Sequence, residues 1–183
     1  KDPADMMADY RTTLPGAKQA VSYDDVAPNH WANDAIRYVA DKGYFAGTSE
    51  TTFAPATTST RAMLMTVLAS MNGVDTTGGS TWYAKGMEWA KANGVSDGTN
   101  PNGAITREQL ALMLYRDAGS PEVDDLKLIF SDANKVSSWA SDAVTWAVVN
   151  GILSGKGNNT LDPQGSASRA EVAQMLYTYS FIR

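Results

Sequence analysis

The chain has 183 residues, a formal net charge of −5 and no cysteine. An acidic surface argues against nucleic acid as a partner, the missing cysteines exclude disulfides and thiolate metal sites, and no apolar stretch reaches the roughly 18 residues of a membrane span. Five Trp and eight Tyr within a 43% hydrophobic composition are enough for a packed core, and this length suits one compact domain or a tightly packed array of small ones.

The elements follow in chain order. Residues 1–21 read as a lead-in helix or linker, with Met6, Met7, Tyr10 and Leu14 as an apolar stripe ending at Pro15-Gly16. A chain beginning with Lys1 reads as a processed or excised piece of a longer protein. Unit one, 22–73, opens with a polar turn (Asp24, Asp25, Pro28, Asn29) and a helix from Trp31 to Asp41 that buries Ala35, Ile36, Val39 and Ala40. Gly43 is placed to end that helix in a left-handed conformation. An irregular stretch with Phe53 and Pro55 leads to a second helix carrying Ala62, Met65, Leu68 and Ala69.

Unit two, 74–120, repeats this order with Trp82, Trp89 and Gly94, then Leu110, Met113 and Leu114 in its second helix. Its connecting loop is five residues shorter and lacks the Phe-x-Pro element. Unit three, 121–183, carries Asp132, Trp139, Trp146 and Gly151, a loop with Leu161-Asp162-Pro163, and a last helix with Val172, Met175 and Leu176. Trp31, Trp82 and Trp139 each stand twelve residues before Gly43, Gly94 and Gly151, and each glycine is followed by Thr60-Arg61, Thr106-Arg107 or Ser168-Arg169. Recurrence at a period of roughly 50 to 60 residues means one supersecondary unit used three times. Each unit is marginal alone, so the three are expected to share a core.

The second helices start with capping signals. Ser168-Arg169-Ala170-Glu171 is a capping box, Thr106 to Gln109 fits the same pattern, and Thr60 faces Met63, which leaves half a box. The caps put Arg61, Arg107 and Arg169 at the first helical position, where a cation gains nothing from the helix dipole. Each arginine therefore asks for a partner. It is either an Asp or Glu of the same unit or an anionic ligand, held jointly by the guanidinium and the unpaired helical N–H groups.

Trp31, Trp82 and Trp139 fit two roles, plugs of the inter-unit core or flat stacking surfaces for sugar rings. Trp89 and Trp146 are expected in the core. Asp25 and Asp132 either cap turns or accept hydrogen bonds from sugar hydroxyls, and Asp75 stands at the corresponding distance in unit two without an aromatic neighbour. His30, the single histidine, suits a helix start or the surface. No phosphate loop, nucleophile elbow, calcium-loop spacing or His-rich cluster appears, so the chain is read as non-catalytic, with no cofactor and no metal.

The runs Tyr23-Asp24-Asp25-Val26, His30-Trp31-Ala32, Gly43, Phe53, Pro55 and Thr60-Arg61-Ala62 resemble an S-layer homology domain. So do Phe130-Ser131-Asp132, Trp139-Ala140, Gly151-Ile152, Leu161-Asp162-Pro163 and Ser168-Arg169-Ala170-Glu171, and, with departures, Trp82-Tyr83-Ala84, Asn93-Gly94-Val95 and Ile105-Thr106-Arg107-Glu108. The resemblance covers roughly residues 22–180. It implies a mostly α fold in which three tandem repeats pack as one pseudo-threefold body with a shared core and grooves between units. It also implies an extracellular module, monomeric in isolation, that anchors a bacterial surface protein to secondary cell-wall polysaccharide through its pyruvylated N-acetylmannosamine end. The family's binding positions fall on Arg61, Arg107, Arg169, Asp25, Asp132, Trp31, Trp82, Trp139, Gly43, Gly94 and Gly151. Ranked by how fully the motif is kept, Arg169 leads, then Arg61, then Arg107, and the groove built on unit two is expected to be degenerate. The competing expectation is a structural or protein-interaction array whose arginines only staple helices. Any catalytic domain would lie in the parent chain.

Overall fold

A computed structural model describes residues 21–183, so the lead-in stripe of Met6, Met7, Tyr10 and Leu14 lies outside the described residues. Among the described residues six helices carry the fold: α1 (Asn33–Asp41), α2 (Arg61–Met71), α3 (Ala84–Ala92), α4 (Arg107–Asp117), α5 (Ser141–Val149) and α6 (Arg169–Ser180), with two short 3-10 turns, Ala133–Lys135 and Ser138–Ala140, ahead of α5. The structure is mostly helical and pseudo-threefold. Its first helix begins at Asn33 rather than Trp31, because Trp31 and Ala32 form a turn in which the Ala32 amide donates to His30 Nδ1.

The helices pair across units. α3 packs on α2, α5 on α4, and α1 on α6, so each unit's first helix lies on the preceding unit's second helix and the last unit closes onto the first. Small residues permit this approach. Ala35 and Ala143 are buried in α1 and α5, and a Cβ on Gly86 in α3 would come within 2.6 Å of Thr66 in α2. One continuous apolar cluster then runs through all three units, from Ile36 and Leu64 to Leu110, Val144 and Leu176.

The second helices are tied together at both ends. Ahead of α2, α4 and α6, three buried residues close a ring of backbone hydrogen bonds: Ser59 donates to Ala167, Ala167 to Ile105, and Ile105 to Ser59, at 2.9–3.0 Å. At the far end, Asp117 of α4 accepts from Asn72 Nδ2 at 2.9 Å and from the buried Tyr179 hydroxyl of α6. Burial, reinforced by that carboxylate, pushes the Tyr179 phenol well above its ordinary value. Trp146 is buried between Tyr115 and Tyr179, while Trp89 is half-buried against the core.

All three helix starts carry a full reciprocal cap. Thr60, Thr106 and Ser168 each accept from the third helical amide. In return the cap amides donate to Gln109 Oε1 and Glu171 Oε1, and in unit one to Met63 Sδ at 3.4 Å. The expected half-box in unit one is thus completed by a thioether, a weak acceptor.

Gly43, Gly94 and Gly151 end α1, α3 and α5 at φ of +72°, +69° and +70°. This left-handed conformation suits glycine because a Cβ would crowd the neighbouring carbonyl. A second left-handed position, Ala54, Asn100 and Asp162, stands before Pro55, Pro101 and Pro163. Unit two therefore keeps the x-Pro turn although its aromatic is replaced by Thr99.

Candidate functional site: two clefts between units

The loop after each first helix receives the arginine of the preceding unit. Arg107 is 4% exposed. Its Nε donates to the Leu161 carbonyl at 3.0 Å, its Nη2 to the Ser154 carbonyl at 2.7 Å, and its Nη1 to the Glu171 carboxylate. Arg169, 5% exposed, donates to the carbonyls of Phe53 (2.7 Å) and Ala46 (2.6 Å), and its guanidinium lies 4.4 and 4.7 Å from the ring centres of Phe45 and Phe53. Burial draws its pKa down against the opposing pull of Tyr23 and Asp25. Arg61 is the loosest. Its Nη2 reaches Asp97 Oδ1 at 3.4 Å and Thr99 Oγ1 at 3.3 Å, while its Nε is buried without a partner.

These contacts correct the expected partners. Arg107 and Arg169 bond chiefly to carbonyls and Arg61 to Asp97 and Thr99, and where a carboxylate takes part, as Glu171 and Asp97 do, it belongs to the next unit. The expected row of free helical N–H groups is absent as well. The first amides of the three helices donate to the carbonyls of Gly103, Gly165 and Thr57, the second to Pro101, Pro163 and Pro55, and the third to the caps. Anion recognition at these helix starts therefore falls to side chains.

The tryptophans resolve toward the surface. Trp31, Trp82 and Trp139 are 63%, 58% and 54% exposed, which removes the core-plug reading. Trp31 stacks on His30 (5.6 Å between ring centres, 27° between planes).

Asp25 and Asp132 act as struts. Each gives one carboxylate oxygen to each of two successive amides at 2.8 Å, Phe53 and Ala54 for Asp25, Leu161 and Asp162 for Asp132. Burial pushes the Asp25 carboxyl up, but the amides of Phe53 and Ala54, its own amide and the charge of Arg169 outweigh it and hold it below its ordinary value. For Asp132 the Leu161 amide leads, against partial burial, and the direction is the same. Asp75 holds only Thr77 beside it, while Asp97 holds Thr99 within the unit-two loop.

Two clefts result. The larger, about 580 Å³, is lined by the buried Arg107, by Glu171, by Ser154 to Lys156, by Gln174 and Met175, and by His30 and the exposed Trp31. The smaller, about 280 Å³, holds Arg61, Asp97, Thr99, Gln109, Arg116 and Trp139. Arg169, Trp82, Asp25, Asp132 and the three helix-ending glycines line neither of these clefts. Sequence reasoning missed Lys156, Gln174, Arg116 and the buried Glu108. Lys156 would have followed from knowing that each arginine points into the next unit's loop, while Gln174 and Arg116 lie on the second helix of that unit.

The comparisons agree with this architecture. The S-layer homology domain family matches the chain at residues 22–62, 75–111 and 129–173. The chain belongs to that family. Relatives include an exoglucanase of Acetivibrio thermocellus (31% identical, covering 87% of this chain and 16% of the relative) and an amylopullulanase of Thermoanaerobacterium thermosulfurigenes (31%, 85% and 9%). An S-layer protein of Bacillus licheniformis is 27% identical over 88% of this chain and 20% of its own length. The chain thus spans less than a quarter of these relatives. As an S-layer homology module it serves attachment at the extracellular cell wall and S-layer. Among the described residues no acidic, His or Cys cluster could hold a metal ion, and no helix is long and apolar enough to cross a membrane.

Proposed function

We propose that the module holds its parent protein on the wall by seating the pyruvylated N-acetylmannosamine end of a secondary cell-wall polysaccharide in the larger cleft. The observation that carries this reading is the pairing of cation and aromatic in one open cleft: Arg107 and Lys156 below and beside an exposed Trp31. A pyruvate ketal supplies a carboxylate for the cations and a sugar face for the indole. Arg107 has three N–H bonds committed within the protein and keeps further donors on its two terminal nitrogens. Lys156 is exposed and 3.2 Å from Asp162, an ion pair weak enough to exchange for a ligand.

Stapling has its own observation in Arg169, which is buried among carbonyls and rings. We assign that arginine to the fold and the larger cleft to the ligand. The units are taken as 22–73, 74–120 and 121–183, and the closed ring of helix pairs leaves no open edge that calls for a second copy, so the module is expected to be monomeric. Sedimentation of the module with isolated walls tests the reading. Intact walls should retain it, while walls stripped of pyruvate, or the pair Trp31→Ala and Lys156→Ala, should release it. Equal retention on stripped walls would refute the carboxylate contact.

A further inference from the structure

Clefts built by one repeated rule should have similar outlines, and these two do not. The lining of the larger takes in His30, Pro55, Ala56, Ser168 and Ala170, a lobe beside the start of α6. The equivalent residues Ser138, Pro163, Gln164, Thr106 and Glu108 do not line the smaller. The difference sits at the second helical position, which is Ala170 in α6, Ala62 in α2 and Glu108 in α4.

Glu108 is 2% exposed. Its Oε2 accepts from the Ser137 amide at 2.9 Å and its Oε1 from the Ser137 hydroxyl at 2.6 Å. Ser137 stands two residues before Trp139, as Asn29 stands two before Trp31. Glu108 thus stands at the position that Ala170 gives to the lobe, bonded to a serine two residues before Trp139. The pair also pins the turn carrying Trp139 to the start of α4. A buried carboxylate is tolerated there because both oxygens are hydrogen-bonded.

We infer that Glu108 is a specificity-determining residue, a strap that limits the second cleft to a single acidic sugar or smaller anion and leaves the first as the one able to seat an extended glycan. This rests on the glycan-binding reading above. It also explains why the unit-two groove is the poorer one by a residue outside the arginine, tryptophan and glycine pattern.

The test uses the 183-residue chain with fluorine-labelled tryptophan, titrated with a pyruvylated wall-polymer tetrasaccharide by calorimetry and fluorine NMR. The wild type should bind one fragment, with the Trp31 signal moving and the Trp139 signal still. Glu108→Ala should bind two, with Trp139 now moving, and its crystal structure should show the lobe open. The converse variant, Ala170→Glu, should weaken binding at Trp31 at least tenfold. Two fragments on the wild type, one fragment on a folded Glu108→Ala, or a lobe still closed in its structure would each overturn the strap. If Glu108→Ala fails to fold, undiminished binding by Ala170→Glu overturns it. A wild type that binds no fragment while the variant's lobe opens sinks the glycan reading and leaves the strap standing.

Discussion

The two clefts share a plan and diverge in three places. In both, an arginine from one unit enters the loop of the next beneath an exposed tryptophan from the unit after that. In the larger, Glu171 at the third helical position takes part in holding Arg107; in the smaller, Gln109 at that position bonds the Thr106 amide, and Arg61 reaches instead to Asp97 and Thr99. The larger is walled by a loop five residues longer, and its second helical position is alanine rather than a buried glutamate. The comparison teaches that the arginine marks where a cleft can form, while its neighbours at the helix start and the loop length decide whether a polymer can enter.

The widest separation should come from removing the arginines. Arg107→Ala leaves the half-buried Glu171 carboxylate and two carbonyls without their partner and should cost about 3 kcal/mol in urea unfolding. Arg61→Ala breaks a pair whose aspartate is largely exposed and should cost less than about 1 kcal/mol. Equal costs would mean the two floors are not built differently.

Next in size is the rim. Trp31→Ala should lower affinity for wall polymer about tenfold or more, with the melting temperature nearly unchanged, since most of the ring is in solvent. Trp139→Ala should leave polymer affinity within about twofold of wild type on the same stacking argument, because that ring stands at the smaller cleft, which does not seat the polymer. A larger loss at Trp139 would reverse the assignment of the clefts.

The struts give a pH signature common to units one and three. The carboxyls of Asp25 and Asp132 are lowered in the folded state, so their stabilisation is complete above the ordinary carboxylate value of about 4 and is lost as pH falls through the folded value. Acid unfolding of Asp25→Asn and Asp132→Asn should therefore show a shallower loss of stability below about pH 4 than wild type. An unchanged acid limb would contradict the strut role.

Gly43, Gly94 and Gly151 should respond alike. Beyond the glycine's own chain neighbours no atom lies within 4 Å of the Cβ an alanine would add, so each change should cost only the left-handed backbone term of about 1 kcal/mol. Similar values in all three units would tie these glycines to helix termination rather than to ligand.

Much of the fold was legible because its signals are local. The caps at Thr60, Thr106 and Ser168, the glycine stops and the apolar stripes each depend on a few neighbouring residues, and the threefold order followed from their recurrence and the family resemblance. The candidate site was legible in part. Arg107, Arg61, Trp31 and Trp139 line the two clefts, whereas Arg169, with the fullest motif, bonds the carbonyls of Phe53 and Ala46 and lines neither. That difference has a physical cause: pairing across units is set by non-local packing, so spacing along the chain cannot say which loop an arginine meets or which carbonyls consume its donors. The helical N–H groups were misjudged for the same reason, since their acceptors, from Gly103 to Pro163, come from another unit. Met63 was misjudged because a thioether was not counted as a cap.

The most direct measurement is a crystal structure of the module with a pyruvylated N-acetylmannosamine disaccharide from wall polymer. The account predicts the sugar ring against Trp31 and the ketal carboxylate within hydrogen-bonding distance of Arg107 or Lys156. A disaccharide seated beside Arg61 and Trp139, or beside Arg169, with the larger cleft empty would contradict it.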